Sequence, residues 1–387
     1  MKILFVAPWI PSSHRPRSLA FLEILAAQHE VAFLAMPHNE GEVAQASSLP
    51  VADRTLIPNP RSGAMARSLK SLVTGESLQT GFANSKAFTT ALRQKLADWR
   101  PDVVHLNVFR TAHLVEECAP TPVIIDLDEF RSEYYEQLAE DGPNVAWRTL
   151  GKVEQRRMAA REDELVAMGV PIILSAPDLP GRERPNTYVV RSICDFPLQP
   201  RLAQAPTILF VGRLSYEANV TGLLWFIREC WPAVRQQIPD ARLRIVGSDP
   251  PKSVRDAAGD GIELFANVPE VEPYYAEATV AIVPIFRGTG IQMKLIQSLS
   301  AGVPTVTGGT AAARAGVRDA EHVRTAEDAP SFIAATVELL TDPRKRDWLA
   351  ANGRQWAVAN HGSAAVRRQL EQAYAAVTAG QSAQYRR

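Results

Sequence analysis

An α/β fold with two successive parallel-sheet units is predicted by three features of the sequence. Short apolar runs alternate with segments of helical spacing from the first residues onward, which is typical of βαβ units. The alternation starts again after a proline-rich segment, 197–206, which lacks periodicity and is the best candidate for a linker. The length of 387 residues is also too great for one compact core, so two domains are expected.

Composition and charge narrow the class of protein. Hydrophobic residues make up 46% and charged residues 22% of the chain, as in ordinary soluble globular proteins. Lys plus Arg equals Asp plus Glu at 42 each, so global charge indicates no nucleic-acid partner, although a local basic patch stays open. The three cysteines, Cys118, Cys194 and Cys230, fit neither a disulfide framework nor a zinc site. They suit a reducing compartment, and because no apolar run reaches about 18 residues we expect a cytoplasmic protein.

The first domain is predicted to open with a βαβ unit. Strands are expected at Lys2–Ala7 and Glu30–Ala35, with helical spacing between them. Open parallel sheets bind ligands beyond the carboxyl ends of their strands, so the loop 9–17 faces a potential site. This loop carries His14, Arg15 and Arg17.

The segment 40–100 is less regular and leaves two interpretations open. Basic residues such as Arg67 and Lys70 alternate with apolar ones such as Leu69 and Val73. This pattern could be an amphipathic surface that contacts anionic lipid. Helices with a solvated basic face are the interpretation that we favour.

An acidic group follows a second pair of predicted strands, at 102–106 and 122–127. Asp126 and Asp128 are two residues apart, so their side chains are expected on the same side of the strand end. Together with Glu129 they could hold a metal, accept a sugar hydroxyl or act as a general base. The alternative is a helix N-terminus at which acidic residues cap free amide groups. Function is favoured for Asp128, and the alternatives are balanced for Asp126.

The remaining elements continue the alternation. A long helix is predicted at 131–165. Short strands are expected at 170–175 and 187–190, before the linker. The second unit is predicted to have strands at 207–211, 243–246 and 262–265, a helix at 220–237, and terminal helices at 326–341, 343–360 and 363–379.

One stretch of the second unit, 279–307, has the order strand, glycine-rich turn, helix, strand. The turn Arg287-Gly-Thr-Gly290 lets main-chain amides approach an anion, and the following helix adds partial positive charge. Arg287 and Lys294 supply full charges, so a phosphate is the ligand to look for. The alternative is an ordinary tight turn between a strand and a helix, and this is the more frequent case for a glycine loop taken alone. Gly212 and Arg213 follow the first strand of the same unit and are expected at the same sheet edge, where a diphosphate would fit.

These pieces, in this order, resemble a known family. The segments that carry the resemblance are Lys2–Val6, Asp102–His105, Asp126–Asp128, Phe210–Leu214, Arg244–Gly247, Val283–Gly290, Lys294–Ile296 and Ala301–Pro304. The chain resembles the retaining glycosyltransferases of family 4, and is most similar to bacterial members tied to exopolysaccharide-type glycan biosynthesis. The resemblance implies the α/β fold called GT-B, in which two Rossmann-like domains face each other across a cleft. Residues 1–196 would be the acceptor domain and 207–362 the donor domain, with the helix at 363–387 packing back on the first.

The resemblance also implies roles for single residues. The catalytic set would be Arg213, Lys294 and Asp128. The donor-binding set would be Gly212, Arg287, Gly288, Thr289, Gly290 and Gln297. The acceptor side would include Ser12, Ser13, His14 and Asp126. A hexosyltransferase-like activity of class EC 2.4 is expected, with a UDP- or GDP-linked sugar as donor and with neither metal nor cofactor. The acceptor would be a glycan, a lipid-linked molecule or a small molecule, with peripheral contact to the inner face of the membrane as an option.

Some positions depart from the family pattern. Two carboxylates usually flank the glycine turn, and Thr289 and Gln297 occupy their positions. A lysine often follows the Gly-Arg pair, where this chain has Ala218. The alternative is therefore a catalytically silent homologue that binds a nucleotide sugar or a partner enzyme. An epimerase or phosphorylase is a third reading, and no segment suggests the pyridoxal-phosphate lysine that a phosphorylase needs.

Overall fold

The structure is a computed structural model that describes residues 1–178, 181–203 and 205–384, except for the side chains at 72 and 379–384. It divides into two compact units. Unit 1 comprises Met1–Ser175, Arg182–Ser192 and the chain from Arg367, and unit 2 comprises Ile193–Val366 with the described part of 176–181. The last three residues of the predicted C-terminal helix lie outside the described residues.

Unit 1 is built on a parallel sheet of seven strands. Its strands are β1 (Lys2–Ala7), β2 (Glu30–Ala35), β3 (Asp53–Leu56), β4 (Val103–Asn107), β5 (Val123–Asp128), β6 (Ile172–Leu174) and β7 (Thr187–Val189). Their order across the sheet is β3-β2-β1-β4-β5-β6-β7. The chain reverses its direction across the sheet between β1 and β4, which is where open sheets of this kind bind ligands.

The helices of unit 1 connect these strands. They are α1 (Pro16–Ala26), α2 (Glu40–Ser47), α3 (Arg61–Thr74), α4 (Leu78–Ala83), α5 (Lys86–Trp99), α6 (Arg131–Asp141) and α7 (Val145–Ala167), with short 3-10 helices at Phe109–Leu114 and Glu116–Cys118. The central strands are buried on both faces, which explains their continuous apolar runs.

Unit 2 repeats this architecture with six parallel strands. They are β8 (Thr207–Val211), β9 (Arg242–Gly247), β10 (Ile262–Ala266), β11 (Val280–Val283), β12 (Thr305–Gly308) and β13 (Arg324–Ala326), in the order β10-β9-β8-β11-β12-β13. The helices are α8 (Glu217–Trp225), a π-helical turn (Phe226–Cys230), α9 (Trp231–Gln237), α10 (Lys252–Arg255), α11 (Glu272–Ala276), α12 (Met293–Ser300), α13 (Gly309–Ala315), α14 (Ala329–Thr341), α15 (Pro343–His361) and α16 (Ser363–Gln384). From Arg367 onward, α16 belongs to unit 1.

Two predicted helices are interrupted, and a proline accounts for each interruption. The helix expected at 131–165 is two helices, because Gly142 precedes Pro143 and adopts an extended ψ of 143°. The helix expected at 220–237 contains the π-helical turn. Pro232 has no N–H to continue the α-helical pattern across that point.

Unusual backbone angles occur at the carboxyl ends of two neighbouring strands of unit 1. Val108, directly after β4, has a φ of 63°, and Asp128, the last residue of β5, has a φ of 67°. Such angles are rare outside glycine and are especially costly for a β-branched residue. Strain of this kind is often found at functional sites, and here it lies at the edge of the sheet where a ligand is expected.

Candidate functional site

In unit 2, Lys294 lies against the Gly212 turn at the end of β8. A Cβ atom added at Gly212 would be 3.2 Å from Cε of Lys294 and 3.0 Å from Nδ2 of Asn219. The Gly212 amide donates to the carbonyl of Val246, which ties the turn to β9. The structure therefore brings together two of the predicted donor-site elements that lie 82 positions apart in the sequence.

The ammonium group of Lys294 is held by one polar contact. Its Nζ donates to Oε1 of Gln292 at 3.0 Å, and Lys294 forms no salt bridge with a carboxylate in the described part of the chain. Because the group is largely desolvated, the pKa of Lys294 falls to about 8. A half-buried cation without a carboxylate is a suitable partner for an anionic ligand.

Gln292 also links Lys294 to the glycine turn. Gly288 has a φ of 148°, and a Cβ added there would be 3.1 Å from Nε2 of Gln292. Gln292 is at the same time the N-cap of α12, whose first amides have no partner within the helix. The turn, the start of α12 and Lys294 thus form one local arrangement.

An aromatic cluster fixes the loop that leads to this turn. Phe286 packs edge-on against Trp225 at a centroid distance of 4.6 Å and against Phe332 at 6.2 Å. The loop is therefore anchored directly before Arg287. Arg287 itself is exposed, Gly290 is partly buried, and Thr289 is buried with only 6% of its surface exposed.

The other predicted donor residues lie at the same end of the sheet. Arg213 follows Gly212 and is exposed, and its carbonyl accepts from Nδ2 of Asn219 at 2.8 Å. Arg213 has no carboxylate partner among the residues that the structure describes. Gln297 is partly buried and lies on α12, three residues after Lys294.

In unit 1, Arg17 holds the predicted acidic pair. Its guanidinium donates to both oxygens of Asp126, at 2.8 and 3.0 Å, and lies 3.4 Å from Oδ1 of Asp128. Its remaining nitrogen donates to the carbonyl of Val190 at 2.8 Å. Asp126 is fully buried, whereas Asp128 is partly exposed. Asp128 is therefore the carboxylate of this pair that can present an oxygen to a ligand.

The backbone explains the different exposure of the two carboxylates. The positive φ of Asp128 turns it away from the strand, while its amide donates to Oδ1 of Asp126 at 3.2 Å. Desolvation raises the pKa of Asp128. Arg17 opposes this rise, and the Asp126 carboxylate adds to it.

A buried histidine lies beside this network. His105 stacks on Phe5 at a centroid distance of 4.5 Å, and its Nδ1 is 2.8 Å from the hydroxyl of Tyr374 on α16. Burial lowers the pKa of His105 to about 3, with a contribution from Arg17, so the ring is neutral at ordinary pH. The sequence placed Arg17 in a loop that faces the site but did not pair it with Asp126. It gave no role to His105 or Gln292, because their contacts are distant or depend on loop geometry.

The predicted acceptor-side loop leaves β1 at the same edge of the sheet. Ser12 is partly buried, and its carbonyl accepts from the amide of Arg15 at 2.8 Å. Ser13 and His14 are exposed. Within the described residues there is no group of three or more His, Cys, Asp or Glu side chains that could hold a metal ion.

The comparison with protein families identifies one domain. Residues 205–342 match the family described as "Glycosyl transferases group 1". This segment contains β8, the Gly212 turn, the glycine turn and α12.

Two mannosyltransferases of Mycolicibacterium smegmatis are similar to this chain. The phosphatidyl-myo-inositol mannosyltransferase is 24% identical over 367 residues, which cover 89% of this chain and 86% of that protein. The GDP-mannose-dependent alpha-(1-6)-phosphatidylinositol monomannoside mannosyltransferase is 28% identical over 175 residues, or 41% of this chain and 45% of that protein. An uncharacterized protein from a cps region of Klebsiella pneumoniae is matched over only 26% of its length.

Solved structures show the fold. Sucrose-phosphate synthase of Thermosynechococcus elongatus aligns with a TM-score of 0.66 at 15% identity, covering 98% of this chain and all (100%) of that one. Anabaena HepE in complex with UDP aligns with a TM-score of 0.63 at 11% identity, covering 97% and 100%. The two parallel-sheet units therefore have the GT-B fold that was predicted. The family match and the mannosyltransferase relatives support a glycosyltransferase, EC 2.4.

Proposed function

We propose that the chain transfers a sugar from a nucleotide-diphosphate donor to an acceptor hydroxyl, with retention of anomeric configuration and without a metal ion. The observation that carries the proposal is the packing of Lys294 against Gly212. Three groups that favour phosphate lie around this contact: the cation itself, the Gly288–Gly290 turn and the N-terminus of α12. The family match covers this arrangement.

In the proposed reaction, the bond between the anomeric carbon and the diphosphate oxygen breaks, and the acceptor oxygen bonds to that carbon on the same face. The acceptor proton passes to the leaving diphosphate, so no protein base is required. The task of unit 2 is then to stabilise the negative charge that develops on the diphosphate. Arg213, Lys294 and the amides of the glycine turn are assigned this role, with Thr289 and Gln297 as donor contacts.

Unit 1 is assigned to the acceptor. Asp128 would accept a hydrogen bond from the acceptor or from the transferring sugar, and Asp126 would act through Arg17. The loop with Ser12, Ser13 and His14 lies at the same sheet edge. The names of the mannosyltransferase relatives mention inositol lipids, which supports a lipid-linked acceptor as one of the classes to be tested.

A membrane contact through α3 belongs to the same proposal. Met65, Leu69 and Val73 are spaced four residues apart, and 62%, 63% and 85% of their surfaces are exposed. Arg61 and Lys70 are exposed on the same helix. Apolar and basic residues together suit the surface of an anionic bilayer. No helix in the described part of the chain is both long and apolar enough to cross a membrane.

The α3 contact can be tested by sedimentation with vesicles. Wild type is expected to bind vesicles of phosphatidylglycerol and phosphatidylcholine better than vesicles of phosphatidylcholine alone. Leu69→Gln should weaken this binding, whereas Val153→Gln, on another helix of unit 1, should not. Equal binding by all three proteins would remove α3 from the proposal.

The donor site is tested by calorimetric titration with UDP and GDP. Arg213→Ala should weaken binding of the preferred nucleotide by a factor of about ten or more, the loss expected for one charged contact of about 1.5–3 kcal/mol. Arg228→Ala is the matched control, because Arg228 is an exposed arginine of unit 2 whose ion pair is with its sequence neighbour Glu229. Unchanged affinity in Arg213→Ala would exclude Arg213 from the site. Absence of binding to either nucleotide by wild type would overturn the donor class.

The catalytically silent homologue is not favoured by the family match or by the relatives. It differs from the proposed enzyme in one measurable outcome. Purified wild type is expected to hydrolyse a nucleotide sugar slowly without acceptor, whereas a silent homologue would bind the nucleotide without turnover.

A further inference from the structure

Arginine side chains lie over two aromatic rings at the edge of unit 1. The guanidinium carbons of Arg15 and Arg110 lie 4.8 and 5.3 Å from the ring centroid of Trp9, and Arg110 also lies 4.9 Å from that of Phe82. Arg67 donates to the carbonyl of Phe82 at 3.2 Å. We call Arg15, Arg67, Arg110 and Arg131 the arginine cluster. The fourth member, Arg131, follows β5, the neighbour of β4 in the sheet, and its charge lowers the pKa of Arg110.

The members of the arginine cluster come from separate parts of the chain. Arg15 directly precedes α1, Arg67 is on α3, Arg110 follows β4 and Arg131 begins α6 after β5. The positive φ of Val108 turns the chain out of β4, so that Phe109 is buried and Arg110 reaches Trp9. Three of these positions follow neighbouring strands at their carboxyl ends, on the same edge as Asp128.

The positive charge of the cluster is only partly balanced. Arg15 pairs with Glu42 at 3.2 Å, and Arg131 pairs with Glu129. Arg67 and Arg110 have no carboxylate partner among the described residues, and both are partly buried. Desolvation lowers the pKa of each, and for Arg110 the charges of Arg131 and Arg15 lower it further. Two guanidinium groups are thus held without compensating charge.

An uncharged hydrogen-bond donor without an acceptor in the described part of the chain lies beside these unbalanced charges. The indole Nε1 of Trp9 is buried and has no acceptor among the residues that the structure describes. Buried donors normally have a partner, so an unpaired one needs an explanation. A ligand rich in acceptor oxygens would be complementary in chemistry to this donor and to the unbalanced guanidinium of Arg110.

We propose that the arginine cluster binds a phosphate or diphosphate group carried by the acceptor. Guanidinium groups bind such groups bidentately, and several of them can surround a tetrahedral oxyanion. The inference rests on the proposed transfer reaction, in which unit 1 binds the acceptor, and it narrows the acceptor to a phosphorylated one. The alternative is that the arginines only stack on the two rings.

The test follows the indole N–H signal of Trp9 by NMR, because this group lies inside the cluster and not in the donor site. The signal is assigned with Trp9→Phe. Titration with inorganic phosphate and with pyrophosphate should shift it in a saturable way. Arg110→Gln and Arg67→Gln should each weaken this binding about tenfold, while Arg156→Gln, which removes an exposed arginine of α7, should leave it within twofold.

Vesicle binding and the response to soluble phosphate together identify the molecule that carries the phosphate. If Arg110→Gln also loses preferential binding to vesicles of phosphatidic acid over phosphatidylcholine, the group is lipid-borne. If only the response to soluble phosphate is lost, the acceptor is a soluble phosphorylated molecule. A Trp9 signal that neither anion shifts, or equal affinity in wild type and both arginine variants, would overturn the proposal.

The same samples are titrated with UDP and GDP. Nucleotide binding by wild type together with a wild-type Trp9 signal that neither phosphate nor pyrophosphate shifts would reject the arginine cluster alone. Absent nucleotide binding with a normal Trp9 response would reject the donor proposal and leave the phosphate site. The two failures are therefore distinguishable.

Discussion

Lys294 and Gly212 are in close contact: a side chain at 212 would begin 3.2 Å from Cε of Lys294. Glycine leaves the space that this lysine occupies, and any side chain at position 212 would press on it. This relationship is tertiary, since the two residues belong to different strand–helix connections of the same sheet.

Gly212→Ala and Gly247→Ala should behave differently. At Gly212 the new methyl group meets side-chain atoms, Nδ2 of Asn219 at 3.0 Å and Cε of Lys294 at 3.2 Å. Both side chains can move by a few tenths of an ångström, so the fold should tolerate the change while nucleotide binding weakens three- to tenfold. At Gly247 the methyl group would meet the main-chain carbonyl of Gly212 at 1.9 Å, which only a shift of the backbone can relieve.

Thermal unfolding and calorimetry measure both variants. Gly247→Ala is expected to lower the free energy of unfolding by several kcal/mol, as other steric insertions into packed sites do, and Gly212→Ala by less than about 1 kcal/mol. If Gly212→Ala bound nucleotide like wild type, displacement of Lys294 would have no effect on the ligand.

Binding of the nucleotide should depend on pH through Lys294. The pKa of its ammonium group is about 8, so raising the pH from 7 to 9 neutralises much of it in the free protein. Affinity for UDP or GDP should fall over this window as Lys294 loses its charge. The terminal phosphate is already ionised above about pH 6, so the charge of the ligand does not change over the same window. In Lys294→Arg the guanidinium stays charged, and a flat profile is expected. A wild-type profile as flat as that of the variant would contradict this role.

Lys294→Met should remove the charged contact with the diphosphate of the ligand, and it should stabilise the free protein. The folded pKa is below the ordinary 10.5, so the charged lysine disfavours folding at neutral pH, and wild-type stability rises between about pH 8 and 10.5. Removing the charge should raise the free energy of unfolding by up to about 3 kcal/mol at pH 7. Urea unfolding at pH 7 and 10 measures this effect, and the gain should be smaller at pH 10.

Gln297→Glu tests the departure from the family pattern. A carboxylate accepts hydrogen bonds from hydroxyl groups more strongly than an amide oxygen, so turnover should rise several-fold if the residue contacts the donor ribose. Turnover is measured with donor and acceptor panels under identical conditions. A decrease would mean that the site is tuned to a different donor. Gln237→Glu, at the end of α9, controls for the added charge.

Arg17 and Asp126 should stabilise unit 1 as a pair. Asp126 is fully buried, so Arg17→Met would leave an uncompensated carboxylate and lower the free energy of unfolding by about 3–5 kcal/mol. The double variant Arg17→Met/Asp126→Asn should recover part of this loss. Urea unfolding of wild type, Arg17→Met, Asp126→Asn and the double variant gives the coupling free energy between the two residues. Additive losses of stability would show that the two residues act independently.

The sheets could be predicted from sequence because their signal is local. β1, β2 and β8 were predicted with the bounds that the structure shows, since each is a continuous apolar run that ends in turn residues. Helices α2–α5 were not separated, because polar residues weaken their periodicity. The breaks at Gly142 and in the π-helical turn depend on how prolines are accommodated, which a periodicity does not reveal.

The candidate site was only partly accessible to the same reasoning. Gly212, Arg213 and Lys294 could be placed at one edge because parallel strands align their carboxyl ends. The contact of Lys294 with Gln292 depends on the shape of the turn, and the pair of Arg17 with Asp126 joins residues 109 positions apart. The arginine cluster joins four segments in the same way, and no local pattern in the sequence shows that Arg110 has no carboxylate partner in the described part of the chain.

The bends at Val108 and Asp128 have a practical consequence for engineering. Glycine at position 108 would relieve the strain of the positive φ, an effect that the greater conformational entropy of the unfolded chain opposes. The relief would come with a looser presentation of Phe109 and Arg110. A library intended to change acceptor preference should therefore keep valine there and vary the neighbouring side chains instead.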